Sequence, residues 1–148
     1  MKRSAALTPL SHDHHQALAV ALRLRQATLA EDAVADFEQF WRGHGQAHFQ
    51  IEEEVLLPIW ARLGNADSGH VARIANEHLE IRVLALEIES KPALLSTLRR
   101  LGERLQAHVR YEERELFPLI EADLDEDALA TLAAAVEEAE ASHDRGCG

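Results

Sequence analysis

The chain has 148 residues, 47% of them apolar, and a formal net charge of −11. This length fits one domain with a substantial core, and the negative charge excludes the broad basic surface that binding to nucleic acid or to an anionic membrane needs. Because no apolar run is long enough to cross a bilayer and the N-terminal region has no apolar signal core, we expect a cytoplasmic protein with a single domain over residues 1–148.

Leucine and alanine dominate the apolar residues, which favours helices over strands. Cap, proline and glycine signals bound four long helices and one further helix, at about residues 11–29, 32–63, 68–89, 91–122 and 125–142. Ser11 and Asp125 are predicted N-caps, and Pro92 is placed in the first turn of the fourth helix. Short connections predict antiparallel neighbours, so the expected fold is all-α: an up-down-up-down four-helix bundle over about residues 10–122 with an additional C-terminal helix.

One pattern, His-x3-Glu-Glu-x2-Leu-apolar-Pro, occurs in both the second and the fourth helix. It covers residues 48–58 and 108–118. Residues four apart in a helix lie on the same face, so His48 is paired with Glu52 and His108 with Glu112. Two such pairs on facing helices would surround one point with nitrogen and oxygen donors, which indicates a metal site. The proline that ends each copy is expected to bend or end its helix.

The first and third helices add further imidazoles. His78 lies on an apolar stripe of the third helix, and the matching position in the first helix is His14. The neighbouring His15 has the better apolar stripe, so both His14 and His15 remain candidate ligands. His44, one turn before His48, is interpreted as a ligand or as a hydrogen-bond donor to one.

The glutamate that follows each paired carboxylate points elsewhere. Glu53 and Glu113 lie about 100° round the helix from Glu52 and Glu112, so they are expected to support a ligand or to face solvent. Removing Glu112 should therefore harm the site more than removing Glu113.

The donor set limits the metal. Several imidazoles with two carboxylates suit iron, manganese or zinc rather than calcium or magnesium. The single cysteine, Cys147, lies in the tail, which excludes an internal disulfide and disfavours copper(I) and iron–sulfur sites. A structural zinc needs only four ligands, so the larger set predicts two ions bridged by carboxylates.

At these residues the chain resembles hemerythrin-like proteins of the His-His-Glu cation-binding type, over about residues 10–122. The resemblance implies a non-haem centre of two iron ions inside a four-helix bundle, with Glu52 and Glu112 as bridging carboxylates. It implies terminal imidazole ligands at these positions: His14 or His15, His48, His78 and His108. The chain departs from the oxygen-carrying hemerythrins, whose third helix carries His-x3-His and whose fourth carries His-x4-Asp.

The same resemblance implies a metal-binding protein, rather than an enzyme, that binds or senses O2, nitric oxide or iron. Its partners would be one of these diatomic molecules or metal ions, with manganese or zinc as alternative metals and a homodimer left open. Two other interpretations stay open. One is a di-iron peroxidase, oxidase or iron–sulfur repair enzyme, and the other is a structural bundle that holds a single zinc.

Overall fold

The computed structural model describes residues 2–90 and 92–146, so Cys147 lies outside the described residues. The α-helices are Thr8–Arg25 (α1), Ala30–Phe40 (α2), Gln46–Ile51 (α3), Leu57–Leu63 (α4), Ser68–Ser90 (α5), Leu95–Tyr111 (α6), Phe117–Asp123 (α7) and Glu126–Gly146 (α8). No strand occurs in this part of the chain, which confirms the all-α class. None of its helices combines the length and apolarity that crossing a bilayer requires.

Three π-helical turns join some of these helices into longer segments: Trp41–Gly45, Glu52–Leu56 and Glu112–Leu116. Residues 30–63 form one such continuous segment, called segment 2, and residues 95–123 form another, called segment 4. The prolines Pro58 and Pro118 do not end either segment, contrary to part of the prediction. Instead, a wider turn precedes each proline, where a proline would otherwise disrupt regular α-helical hydrogen bonding.

Two predicted helix starts are wrong and one cap is confirmed. α1 begins at Thr8 rather than after Ser11, because Pro9 fits the first turn of a helix, where its missing N–H is not needed. α6 begins at Leu95, so Pro92 lies in the connection before it. Asp125 caps α8 as predicted, since its Oδ1 accepts a hydrogen bond from the backbone N–H of Ala128 at 2.8 Å.

The helices enclose two buried apolar clusters. The first, called the Phe37 cluster, includes Ala17, Phe37, Phe49, Ile81, Leu105 and Val109. The second, called the Trp60 cluster, includes Leu10, Trp60, Ile74, Tyr111, Leu116 and Phe117. Along α1, α5 and segment 4, the predicted ligands fall between residues of the first cluster and residues of the second. The polar centre is therefore a layer closed on both sides by apolar packing, which keeps bulk water from it.

Helices α1 and α6 approach each other closely at Gly102. A Cβ at Gly102 would lie 2.7 Å from the backbone oxygen of Ala21, so only a glycine permits this approach of the two backbones. Helix α8 packs outside, against residues of α3 and the following π-helical turn.

Candidate metal centre

The buried polar and charged side chains of the described residues form one set. They are His14, His48, Glu52, His78, His108 and Glu112, each between 0 and 6% exposed. All six belong to the predicted ligands, whereas His15 is exposed and lies in neither of the ligand groups described next. Burial of so many ionisable groups is costly unless charges of opposite sign or a metal compensate them.

These six side chains form two groups that share both carboxylates. The first ligand group is His14, His48, Glu52 and Glu112, and the second ligand group is Glu52, His78, His108 and Glu112. Within each group the donor atoms lie within 4.8 Å of one another. The i, i+4 pairs predicted from the repeated pattern therefore come together from segments 2 and 4, with α1 and α5 each supplying one imidazole.

Each carboxylate gives one oxygen to each group. Glu52 places Oε2 3.3 Å from Nε2 of His48 and Oε1 3.1 Å from Nε2 of His78. Glu112 places Oε2 3.7 Å from Nε2 of His14, and its Oε1 contacts Nε2 of His108. This is the arrangement in which two carboxylates can bridge a pair of ions.

Several donor atoms of the centre have no hydrogen bond among the described residues although they are buried. They are Nε2 of His14 and of His48 and both oxygens of Glu52 and of Glu112. Buried polar atoms are normally hydrogen-bonded. These nitrogen and oxygen atoms instead lie close to one another, as the atoms of a metal site do. Imidazole nitrogens and carboxylate oxygens in this number fit two ions of the iron, manganese or zinc type.

A carboxylate holds the far side of each imidazole. The pairs, measured from Nδ1 to the nearest oxygen, are His14 with Glu113 at 2.8 Å, His48 with Asp13 at 3.1 Å, His78 with Glu53 at 2.5 Å and His108 with Glu77 at 2.8 Å. When Nδ1–H donates to a carboxylate, Nε2 is left as the metal-binding atom and the ring orientation is fixed. All four rings are therefore aimed into the centre.

Two of these supporting carboxylates were not assigned a role from the sequence. Asp13 and Glu77 each precede a histidine of the site, His14 or His78, and each supports a histidine on a neighbouring segment. The signal that could have revealed them is the shared acid–histidine order in α1 and α5. Glu53 and Glu113, by contrast, were expected to support a ligand or to face solvent, and both support a ligand.

Arginines bind three of the four supporting carboxylates. Arg3 lies 2.7 Å from Glu113, Arg82 lies 2.7 Å from Glu53, and Arg73 lies 2.9 Å from Glu77. Burial alone would raise the pKa of Glu113, but the hydrogen bonds with His14 and Arg3 lower it to about 2. These carboxylates are thus held ionised and in place.

In the metal-free centre, the neighbouring carboxylates raise the pKa values of two histidines. Burial would lower the pKa of His108, but the Glu112 carboxylate and Glu77 raise it to about 10. Burial would also lower the pKa of His48, but the Glu52 and Asp13 carboxylates raise it well above its ordinary value. In the metal-free protein both imidazoles therefore favour the protonated form, so metal uptake must displace protons from them.

We expect the metal-free protein to lose stability as the pH rises from 7 to 10. The folded-state pKa of His108, about 10, exceeds its unfolded value of roughly 6.5. Its contribution is fully present below the unfolded pKa and is lost as the pH rises through the folded one. Thermal unfolding followed by circular dichroism, with and without a chelator, measures this. The fall of Tm with pH should be smaller for metal-free His108→Gln. A wild-type Tm that stays level or rises over this range would contradict the raised pKa of His108.

A small cavity lies beside the first ligand group. Its apolar lining is Ala17, Phe40, Phe49, Leu105 and Val109, and its polar lining is Asp13, His14, His44, His48 and His108. It leaves about 10 Å³ for the centre of a water-sized molecule, which is close to the smallest space that one water molecule needs. His44 is exposed and belongs to neither ligand group, so its interpretation as a ligand finds no support in the arrangement.

Comparisons with known proteins agree with this arrangement. A family model described as the hemerythrin HHE cation-binding domain matches residues 6–120. A search of curated proteins and a search of solved structures each find no match. The match covers the helices that carry all six buried ligand candidates.

Proposed function

Because the chain belongs to the hemerythrin family of HHE cation-binding domains, we propose that it is a non-haem di-iron protein that binds or senses O2, nitric oxide or iron. The observation that carries the proposal is the sharing of Glu52 and Glu112 between two ligand groups. In this proposal His14 and His48 are the terminal ligands of one ion, and His78 and His108 are those of the other.

The donor set is compatible with iron, which the family resemblance favours over manganese and zinc. Each ion would receive two imidazole nitrogens and two carboxylate oxygens from the protein, and further positions would remain for a small ligand. Mixed nitrogen and oxygen sites with open positions suit ferrous iron. A single structural zinc is disfavoured, since it would leave one pair of buried histidines without a metal.

The helix contacts support the proposed up-down-up-down bundle as one domain. Four helical segments, joined by short connections, contribute one histidine each to the centre, at positions 14, 48, 78 and 108. α6 packs against both α1 and α5, and α8 covers segment 2 from outside. Such an arrangement brings one face of every segment to a common axis.

The surroundings of the centre favour binding of a diatomic molecule over turnover of a larger substrate. When bound, ferrous iron supplies the electrons that such a ligand accepts. The protein excludes water and limits size: Phe49 stacks on His78 with ring centroids 3.8 Å apart, and the adjoining cavity holds about one small molecule. A di-iron peroxidase is the second candidate.

The decisive experiment is anaerobic loading of the metal-free protein with ferrous iron. We expect two iron ions per chain by elemental analysis after gel filtration. On exposure to air, near-ultraviolet charge-transfer absorbance of an oxidised, bridged iron pair should appear. Binding of a single ion, or of zinc alone when both metals are offered, would overturn the di-iron assignment in favour of a structural site.

A further inference from the structure

One of the four supporting carboxylates differs from the other three. Glu53, Glu77 and Glu113 each bind an arginine. Asp13, which supports His48, has no arginine or lysine within ion-pair distance in the described part of the chain, and its ion pair there is the one with His48. The two ligand groups have matching ligands, but they differ in the partners of their supporting carboxylates.

A second carboxylate and an imidazole stand near Asp13 instead of an arginine. Glu140 comes from α8, and its Oε1 is buried without a hydrogen bond among the described residues. Burial and the Asp13 carboxylate raise the pKa of Glu140, while the imidazoles of His48 and His44 act in the opposite direction. His44 is exposed and lines the cavity together with Asp13 and His48. These side chains of Asp13, His44 and Glu140 are called the acidic corner.

The charges around the centre define where a cation can approach. Arg3, Arg73 and Arg82 place positive charge outside three of the supporting carboxylates and repel a divalent ion there. The acidic corner carries two carboxylates without a bound arginine, so no guanidinium cancels the attraction of these two charges for a divalent cation. The cavity at this corner already leads to His14 and His48, whose Nε2 atoms have no hydrogen bond in the described residues.

The second ligand group is less open to this cavity, since of its two imidazoles only that of His108 lines it. His78 is 0% exposed and is covered by the ring of Phe49. Its supporting Glu53 is bound by Arg82, whose guanidinium also lies 5.5 Å from the centroid of the Phe49 ring. An ion held by His78 would therefore be covered by the Phe49 ring and by an arginine-bound carboxylate on the side away from the cavity.

From this asymmetry we propose that the acidic corner is the route by which metal ions reach and leave the centre. The ion of the first ligand group is the exchangeable one, and the ion of the second ligand group is retained. This inference rests on the proposed two-ion centre.

Anaerobic uptake of ferrous iron by the metal-free protein tests the route. Glu140→Gln should slow uptake by about threefold or more, a part of the 10- to 1,000-fold that charged clefts add to association rates. Glu138→Gln makes the same charge change at an exposed position of the same helix and should match the wild type. Added salt should slow the wild type more than Glu140→Gln, because it screens the charge that the variant has already lost.

Release into an excess of a ferrous chelator tests which ion exchanges. The loaded protein should lose its iron in two phases of one ion each. Arg82→Gln should speed only the slow phase, by about two- to fivefold, which corresponds to loss of a partly exposed ion pair. His44→Gln removes an exposed imidazole that can bind an ion on its way into the cavity, so it should also slow uptake. It serves as a second variant in case Glu140→Gln unfolds, which circular dichroism would show.

The outcomes separate this inference from the proposed function. Two ions released in a single phase, or uptake by both Glu140→Gln and His44→Gln at the wild-type rate, would overturn the acidic corner as the route and leave the two-ion centre standing. Failure of the wild type to hold two ions would overturn both.

Discussion

Replacing Glu112 by glutamine is expected to abolish the two-ion centre. The side chain gives one oxygen to His14's group and the other to His108's group, so its loss affects both ions at once. Glutamine keeps the shape but offers no negative charge to bridge two cations. Metal-supporting residues outside the ligand set cost about 10- to 100-fold in affinity when mutated, and we expect a larger loss here, with fewer than two iron ions bound per chain.

Two neighbouring glutamates provide matched controls for this variant. Glu113 touches only His14 among the ligands, so Glu113→Gln should keep two ions at saturating iron, with one bound about 10- to 100-fold more weakly. Glu115 is exposed, and Glu115→Gln should bind as the wild type does. Isothermal titration and elemental analysis measure affinity and stoichiometry. Equal losses for Glu112→Gln and Glu113→Gln would show that Glu112 does not bridge.

His14→Ala is expected to remove one ion, whereas His15→Ala should leave both in place. His14 is 3% exposed and belongs to the first ligand group, while His15 is exposed, about 100° round α1. Without His14 the first ion would keep only one imidazole, and the second ligand group would keep both of its own.

Iron stoichiometry and the near-ultraviolet spectrum distinguish these two variants. Both remove one histidine from the same helix, so differences in helix propensity or net charge cannot explain a difference in metal content. Loss of an ion in His15→Ala, with full loading of His14→Ala, would show that α1 presents a different face to the centre.

The sequence was informative where a local rule determines geometry. The repeated His-x3-Glu pattern predicted two imidazole–carboxylate pairs because four residues make about one helical turn, and the structure brings both pairs to one centre. The all-α class followed in the same way from composition and cap signals. The match of α1 with α5 indicated one imidazole from each, and both helices supply one.

Local rules failed where the backbone left regular α-helix or where the partner was remote. His44 lies within the π-helical turn Trp41–Gly45, whereas His48 lies in the regular helix α3, so the i, i+4 relation did not bring His44 into the ligand groups. The start of α6 at Leu95 likewise departs from the helix signal at Pro92. Helix propensity alone predicts neither the π-helical turn nor the later start of α6.

By itself, the sequence determined that four helices would carry imidazoles and carboxylates on regular faces, since helical periodicity is a property of the chain. The tertiary structure decided what lies opposite each face. It selected His14 over His15, because adjacent residues point about 100° apart and only packing sets which direction is inward. It also gave Asp13 and Glu77 their roles and raised the pKa of His108 to about 10, because hydrogen bonds and charge interactions depend on distances between segments that lie far apart in sequence.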